Sequence, residues 1–296
     1  SSGEGLSAAF AEGVTSQSVD VVDIGLASTD LLYFASGHLG TPAVMLTASH
    51  NPAAYNGMKF CNSGAQAIGA ETGLDQICLL AAQPAISADE RGQTRQVDLL
   101  DRFVEHVHSF VNLDALRPLR VIADTANGMG GHVLPATFAG LPFQLELLYG
   151  ELDGSFPNHP ADPIQKENLV DLQHKVVEET ADIGLAFDGD ADRVFLVDEK
   201  ANPVSGSLTT ALVATAVLER EGPGPILHNL ICSRATVEAI QEAGGRPIRT
   251  RVGHSYIKAI MAETGAAFGG EHSGHYYFAR NFGADSGLIA ALIVLE

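Results

Sequence analysis

The segment Asp188-Gly189-Asp190-Ala191-Asp192-Arg193 sets three carboxylates at alternate positions between two apolar runs, IGLAF and VFLVD. Carboxylates gathered in one loop repel, and each raises the cost of ionising the others. A bound cation resolves that conflict, and an all-oxygen donor set suits a hard ion such as Mg²⁺ rather than zinc. The plain alternative is a solvated acidic turn, which accounts for most single Asp-Gly pairs. An EF-hand is excluded: Glu199 stands twelfth from Asp188, but the sixth position, where that loop needs Gly, is Arg193, and the flanks read as strands.

A second polar segment, TASHNPAAYNGMKF from Thr47 to Phe60, follows the strand-like run AVML. Pro52 and the Asn56-Gly57 pair turn it into an exposed loop at a strand end, where α/β proteins place ligand sites. It offers a hydroxyl nucleophile in Ser49, an imidazole in His50 and a cation in Lys59. Side chains adjacent in sequence rarely face one another as a nucleophile and its base must, so His50 is not expected to complete a hydrolase triad with Ser49. A third segment, Gly269 to His275 (GGEHSGH), carries Glu271, His272, Ser273 and His275 among glycines that let backbone approach a polyhydroxyl ligand closely. His272 and His275 could share a metal only on a helix, which Gly274 opposes. The turn Asp124-Thr125-Ala126-Asn127-Gly128-Met129-Gly130-Gly131 lacks dinucleotide-binding spacing, because Val133 stands where the third glycine belongs, and reads as a strand-to-helix turn.

These loops need elements to hold them. Helix-length apolar periodicity alternates with short β-branched runs along the whole chain, the pattern of α/β units. The sequence predicts a helix TDLLYFASGHL capped by Thr29 or Asp30, strands AVMLTAS and RVIADTAN, and a closing helix GLIAALIVLE. Residues 84–98 turn polar and read as a linker, and ANPVSG reads as a second junction. The expected units are 1–95, 96–199 and 200–296. At 296 residues the chain is long enough for two domains, or three small ones, at roughly 150 residues per domain.

Acids outnumber bases by 36 to 17, a formal charge of −19, which argues against a nucleic-acid binder that must release counterions from phosphates with a basic face. Three cysteines, Cys61, Cys78 and Cys232, are odd in number and lack C-x-x-C spacing, so neither a disulfide framework nor a zinc knuckle is expected and the cytoplasm is the expected compartment. No run approaches the roughly 18 apolar residues of a membrane span.

TASHNPAAYNGMKF, DGDADR and GEHSGH, in this order on three successive units, closely resemble the α-D-phosphohexomutases, most nearly the bacterial phosphomannomutase/phosphoglucomutase branch. The resemblance implies three successive α/β domains with mixed sheets sandwiched by helices and an active-site cleft between them. It implies an intramolecular phosphotransferase, an isomerase of carbohydrate metabolism, that interconverts hexose 1-phosphate and hexose 6-phosphate. Ser49 would carry the phosphoryl group and Asp188, Asp190 and Asp192, with Ser49, would hold Mg²⁺. A hexose 1,6-bisphosphate would serve as intermediate and activator. Lys59 would do general acid/base work and Arg193 would stabilise charge. Glu271, Ser273 and His275 would bind the sugar, with His254 in GHSYIK and Arg234 in CSR as further ligand contacts; Lys258 would be a surface or supporting residue. Two alternatives stay open: a phosphoglucosamine mutase, whose loop carries Gln where this chain has His272, and a non-catalytic module that keeps affinity for Mg²⁺ and sugar phosphate. The substrate-contacting Lys that some relatives carry before the Cys is Ile231 here, which leaves mannose against glucose open, as is the oligomeric state. The family's glycine-rich opening and its fourth, phosphate-gripping domain are not matched, so the chain is expected to be a piece of about three domains with weak turnover of its own.

Overall fold

The computed structural model describes residues 2–51, 54–84 and 88–296; the side chains of Glu71, His254 and Ser255 lie outside that description. The first unit begins with α1 (Gly3–Thr15), β1 (Val21–Asp23), α2 (Thr29–Leu39), β2 (Ala43–Leu46), β3 (Met58–Asn62), β4 (Gln66–Ala67) and α3 (Leu74–Ala81). β2, β3 and β4 form an antiparallel sheet in that order, with Met45 opposite Lys59. The run containing Lys59 is thus a strand rather than the end of a loop, and its register aims Lys59 from a fixed position. β5 (Thr94–Gln96) pairs in parallel with β1, so the polar stretch read as a linker returns to the first unit.

The second unit comprises α4 (Leu100–His108), β6 (Arg120–Asp124), α5 (Gly130–Phe138), β7 (Gln144–Leu148), α6 (Val170–Glu178), β8 (Ile183–Phe187), β9 (Val194–Asp198) and β10 (Pro203–Val204). Its sheet runs β10-β9-β8-β6-β7. β6 lies parallel to β7 and β8, and β8-β9-β10 is an antiparallel meander. Parallel neighbours require a crossover, supplied here by α5 and α6. β10 belongs to this sheet, so the second unit extends past the boundary expected at residue 199.

The third unit contains α7 (Gly206–Glu221), β11 (Pro225–Asn229), α8 (Arg234–Glu242), β12 (Arg246–Thr250), α9 (His254–Thr264), β13 (Phe268–Gly270), β14 (Tyr276–Phe278) and α10 (Gly287–Leu295). β11 is parallel to β12 and β13, and β14 closes antiparallel on β13. The sheets are therefore mixed.

One apolar core joins all three units: Leu31 and Phe34 of α2, Phe103 and Val107 of α4, Phe187 of β8, Ile226 of β11, and Leu288 and Leu292 of α10 belong to a single buried cluster. α10 is apolar on every side, as a helix enclosed by others must be, and it packs on α4, α7 and β9. Shared burial of this kind fixes the units against one another, which the site requires because its residues come from all three. Among the described residues no helix is long and apolar enough to cross a membrane.

Candidate metal and phosphoryl centre

The aspartate loop follows the carboxyl end of β8, the Ser49 loop follows β2, and the Glu271 loop follows β13. Asp188, Asp190 and Asp192 are all buried, and one carboxylate oxygen from each falls within 4.8 Å of the others. Lys59 reaches across from β3 and donates to Asp190 Oδ2 and Asp192 Oδ2, each at 2.8 Å. Asp190 Oδ2 also accepts the hydroxyls of Thr29 at 2.7 Å and Thr47 at 3.1 Å. The Arg193 Nε donates to Asp188 Oδ2 at 2.8 Å, and its backbone N–H to Asp188 Oδ1 at 3.2 Å.

What is left over points outward from this network. Among the described residues, Asp190 Oδ1 and Asp192 Oδ1 are buried without a hydrogen-bond partner, as is Arg193 Nη2. An orphaned buried carboxylate oxygen costs free energy, and three clustered aspartates that leave two of them fit a hard cation bound through oxygen. The residues present therefore suit Mg²⁺.

The charges agree with that fit. Burial alone would lower the affinity of Lys59 for its proton, but the charges of Asp192 and Asp190 more than offset this and hold the ammonium well above the usual lysine range. Burial pushes Asp190 up, but Lys59 and the hydroxyl donors bring it below the ordinary carboxylate range. Asp188 goes the other way: burial and the charge of Asp192 raise it, only partly countered by Arg193. Lys59 is thus a fixed ammonium that donates hydrogen bonds to both carboxylates.

Ser49 sits against this cluster with its Oγ 3.3 Å from Asp188 Oδ2. Its φ is +52°, a left-handed conformation that a non-glycine residue adopts at a cost of about 1 kcal/mol, and one that recurs where function dictates geometry. Thr47 Oγ1 holds it by accepting the Ser49 N–H at 2.8 Å. The same left-handed turn swings the chain so that His50 Nδ1 comes within 3.3 Å of Ser49 Oγ, contrary to the expectation that these neighbours would not meet. Burial and then Arg193 lower the His50 pKa, which favours the uncharged ring beside the hydroxyl. Pro52 and Ala53 of this loop lie outside the described residues.

Two glycine contacts explain how the loops come so close. A Cβ on Gly189 would lie 2.3 Å from the Ser49 carbonyl oxygen, and a Cβ on Gly128 would lie 2.6 Å from the Gly189 oxygen. The turn after β6, read from sequence as a simple connection, in fact backs the aspartate loop, and Met129 N–H donates to Gly189 O at 2.9 Å. The chain from Gly150 to Asp162 covers the same loop. His159 Nε2 pairs with buried Asp124 at 2.9 Å, and Asp162 Oδ1 takes Arg193 Nη1 at 3.3 Å.

The third unit closes on the opposite side. His275 lies at the far end of the β13–β14 turn and bridges to Arg193 in antiparallel fashion. Its Nδ1 is 2.8 Å from Asp285 Oδ2 and 3.7 Å from Asp192 Oδ1, so no helix was needed to bring it to the cluster. Glu271 is buried and held by three donors: Asn229 Nδ2 and Gly253 N–H on Oε1, each at 3.2 Å, and the Tyr277 hydroxyl on Oε2 at 2.9 Å. Ser273 is half-buried in the same turn. Arg234 is elsewhere in character: its side chain is 90% exposed and pairs with Glu238 one turn along α8. His254 opens α9, and its side chain lies outside the described residues. Lys258, expected to be a surface or supporting residue, has its ammonium buried, 3.9 Å over the Tyr33 ring and 3.7 Å from Asp285 Oδ1.

Models of the phosphoglucomutase/phosphomannomutase α/β/α domains I, II and III match residues 1–82, 101–202 and 205–296. The phosphomannomutase of Escherichia coli K12 is 39% identical over 303 residues, covering 99% of this chain and 66% of that protein. A protein of Xanthomonas campestris named for phosphohexose mutases is 36% identical, covering 98% of this chain and 65% of its own length. The crystal structure of a phosphoglucomutase/phosphomannomutase family protein from Burkholderia thailandensis superposes with a TM-score of 0.88 at 34% identity, over 99% of this chain and 65% of that one. The chain belongs to this family, the α-D-phosphohexomutases. It spans about two thirds of the length of the curated relatives it matches, 66% of the first.

Proposed function

We propose that the chain carries the phosphoserine and metal-binding part of a hexose-phosphate mutase, an isomerase that moves a phosphoryl group between the 1- and 6-positions of mannose or glucose phosphate through a hexose 1,6-bisphosphate. The observation that carries this reading is Ser49 Oγ lying 3.3 Å from Asp188 in a cluster whose Asp190 and Asp192 each keep one buried, unpartnered oxygen. Asp188, Asp190, Asp192 and the phosphorylated Ser49 would hold Mg²⁺, which when bound neutralises charge on the phosphoryl group.

The remaining work falls to the chain itself. The P–Oγ bond to Ser49 breaks as a bond to a sugar hydroxyl oxygen forms, and the hydroxyl proton ends on the leaving Ser49 Oγ; the reverse transfer returns the sugar's other phosphate to Ser49 and the proton to the sugar oxygen. Arg193 Nη2, buried and unpartnered, offers a donor to the migrating group, and Lys59 remains charged beside it. Glu271, Ser273 and His275 are the sugar-side residues in this reading. Glu271 is preorganised as an acceptor by its three donors, whereas the surface ion pair of Arg234 gives it no support as a ligand contact. The names of the relatives favour the neutral hexoses.

Incubating the chain with glucose or mannose 1,6-bisphosphate and Mg²⁺, then locating modified peptides by mass spectrometry, tests this. One phosphate on Ser49, absent in Ser49→Ala, is the expected result. Ser49 unmodified in every preparation would overturn the reading and leave only a binding module.

A further inference from the structure

Asp190 is held by α2 at two points. Thr29 donates its hydroxyl to Asp190 Oδ2 at 2.7 Å and its backbone N–H to the Asp190 carbonyl at 3.0 Å. Both residues are buried, and they come from different units of the fold, 161 residues apart. The other donors to the same oxygen are less dedicated. Lys59 divides its ammonium between Asp190 and Asp192, and Thr47 also accepts the N–H of Ser49, so each serves a second partner.

The start of α2 is itself fixed. Ser28 donates to Asp30 Oδ1, and Ser286 at the start of α10 donates to Asp30 Oδ2 at 2.6 Å. Gly287, the next residue, lies against the backbone of Arg193, where a Cβ would approach the Arg193 carbonyl carbon to 2.9 Å. α2, α10 and the aspartate loop are thus locked together, and Thr29 is the side chain through which that lock reaches a carboxylate.

We propose that Thr29 is a positioning residue for the cation site: its hydroxyl turns the Asp190 carboxylate so that Oδ2 faces the protein and Oδ1 faces the ion. This rests on the reading of the aspartate cluster as a divalent-cation centre. Hydrogen-bond partners of metal ligands typically contribute tenfold to a hundredfold in affinity, because they remove the entropy of aligning the ligand.

The test is Mn²⁺ affinity, measured by electron paramagnetic resonance titration of the unbound ion, in the parent chain and in Thr29→Val, Thr29→Ala and Thr29→Ser. Valine keeps the shape and the backbone N–H clamp and removes only the hydroxyl. Thr29→Val is expected to bind Mn²⁺ about tenfold or more weakly, and Thr29→Ser to restore parent affinity within about threefold. Should valine prevent folding, Thr29→Ala gives the same reading with a small cavity in place of the methyls. A purely structural role would lower the metal-free melting temperature of Thr29→Val and Thr29→Ser alike without changing Mn²⁺ affinity in either, and that outcome would overturn the proposal. So would parent-like affinity in both hydroxyl-free variants. If the parent chain binds no Mn²⁺, the cation centre itself is wrong and the proposal falls with it.

Discussion

Replacing Lys59 by Met is expected to lower the stability of the metal-free protein by about 3 kcal/mol at neutral pH, because removing one partner strands the other as an uncompensated buried charge. Two carboxylates lose their cation at once, Asp190 and Asp192, which are 3% and 0% exposed; the lower end of the usual range applies because Lys59 itself is 29% exposed. The loss depends on pH in a definite direction. In the parent, Asp190 has a depressed pKa and therefore contributes stability above the unfolded-state value, lost as pH falls. Without Lys59, burial is the largest influence left on Asp190, which then binds its proton more tightly folded than unfolded, so the variant gains on the parent as pH falls. The stability gap should be full at pH 7 and above and shrink towards pH 4. Mg²⁺ should narrow it at neutral pH, since the ion substitutes for the missing ammonium. Urea unfolding across pH, with and without Mg²⁺, measures all of this; a gap independent of both would contradict the assigned role.

The second large effect concerns a residue with no side chain. Gly189→Ala would put a methyl group 2.3 Å from the Ser49 carbonyl oxygen, a backbone atom that cannot rotate away. The serine loop and the aspartate loop must then separate, at a cost of about 1–3 kcal/mol for overpacking. Displacement of about 1 Å at a reacting group can reduce rate about a hundredfold. The expected result is a folded protein whose Ser49 accepts phosphate from hexose 1,6-bisphosphate about a hundredfold more slowly, followed by time-resolved mass spectrometry. Gly140→Ala is a poor control because Gly140 has a φ of +77°; Gly5, helical and with open space around its would-be Cβ, is the suitable one.

The centre's chemistry was legible where it is local. Three aspartates at alternate positions suggest a cation site from sequence alone, and the structure buries all three and brings them together. The parts that went unread are single residues whose partners lie far away in the chain. Thr29 looks like a helix cap in a Ser-Thr-Asp run; the cap is Ser28, and Thr29 is diverted to Asp190, which only the packing of α2 on the aspartate loop can reveal. Asp162 and Asp285 carry no local pattern at all, and each gains its significance from a partner in another segment, Arg193 and His275 respectively. Lys258 stands in GHSYIK, where a surface or supporting role was expected; the packing of α9 buries its ammonium, and burial lowers its pKa despite Asp285. β3 was hidden by the Asn56-Gly57 turn signal before it, although Met58 to Cys61 pair along β2. The helices and central strands were readable because apolar periodicity is a local property, whereas β5 and β10 are two- or three-residue strands defined only by the neighbours they pair with.

The central claim is that Ser49 and the three aspartates form one centre for one ion and one phosphoryl group. Electron–nuclear double resonance on the Ser49-phosphorylated chain loaded with Mn²⁺ tests it most directly. A ³¹P coupling strong enough to place phosphorus one oxygen from the metal, absent in the unphosphorylated chain, is the predicted result. Bound Mn²⁺ without that coupling would contradict the account, because the ion and the serine phosphate would then occupy separate places.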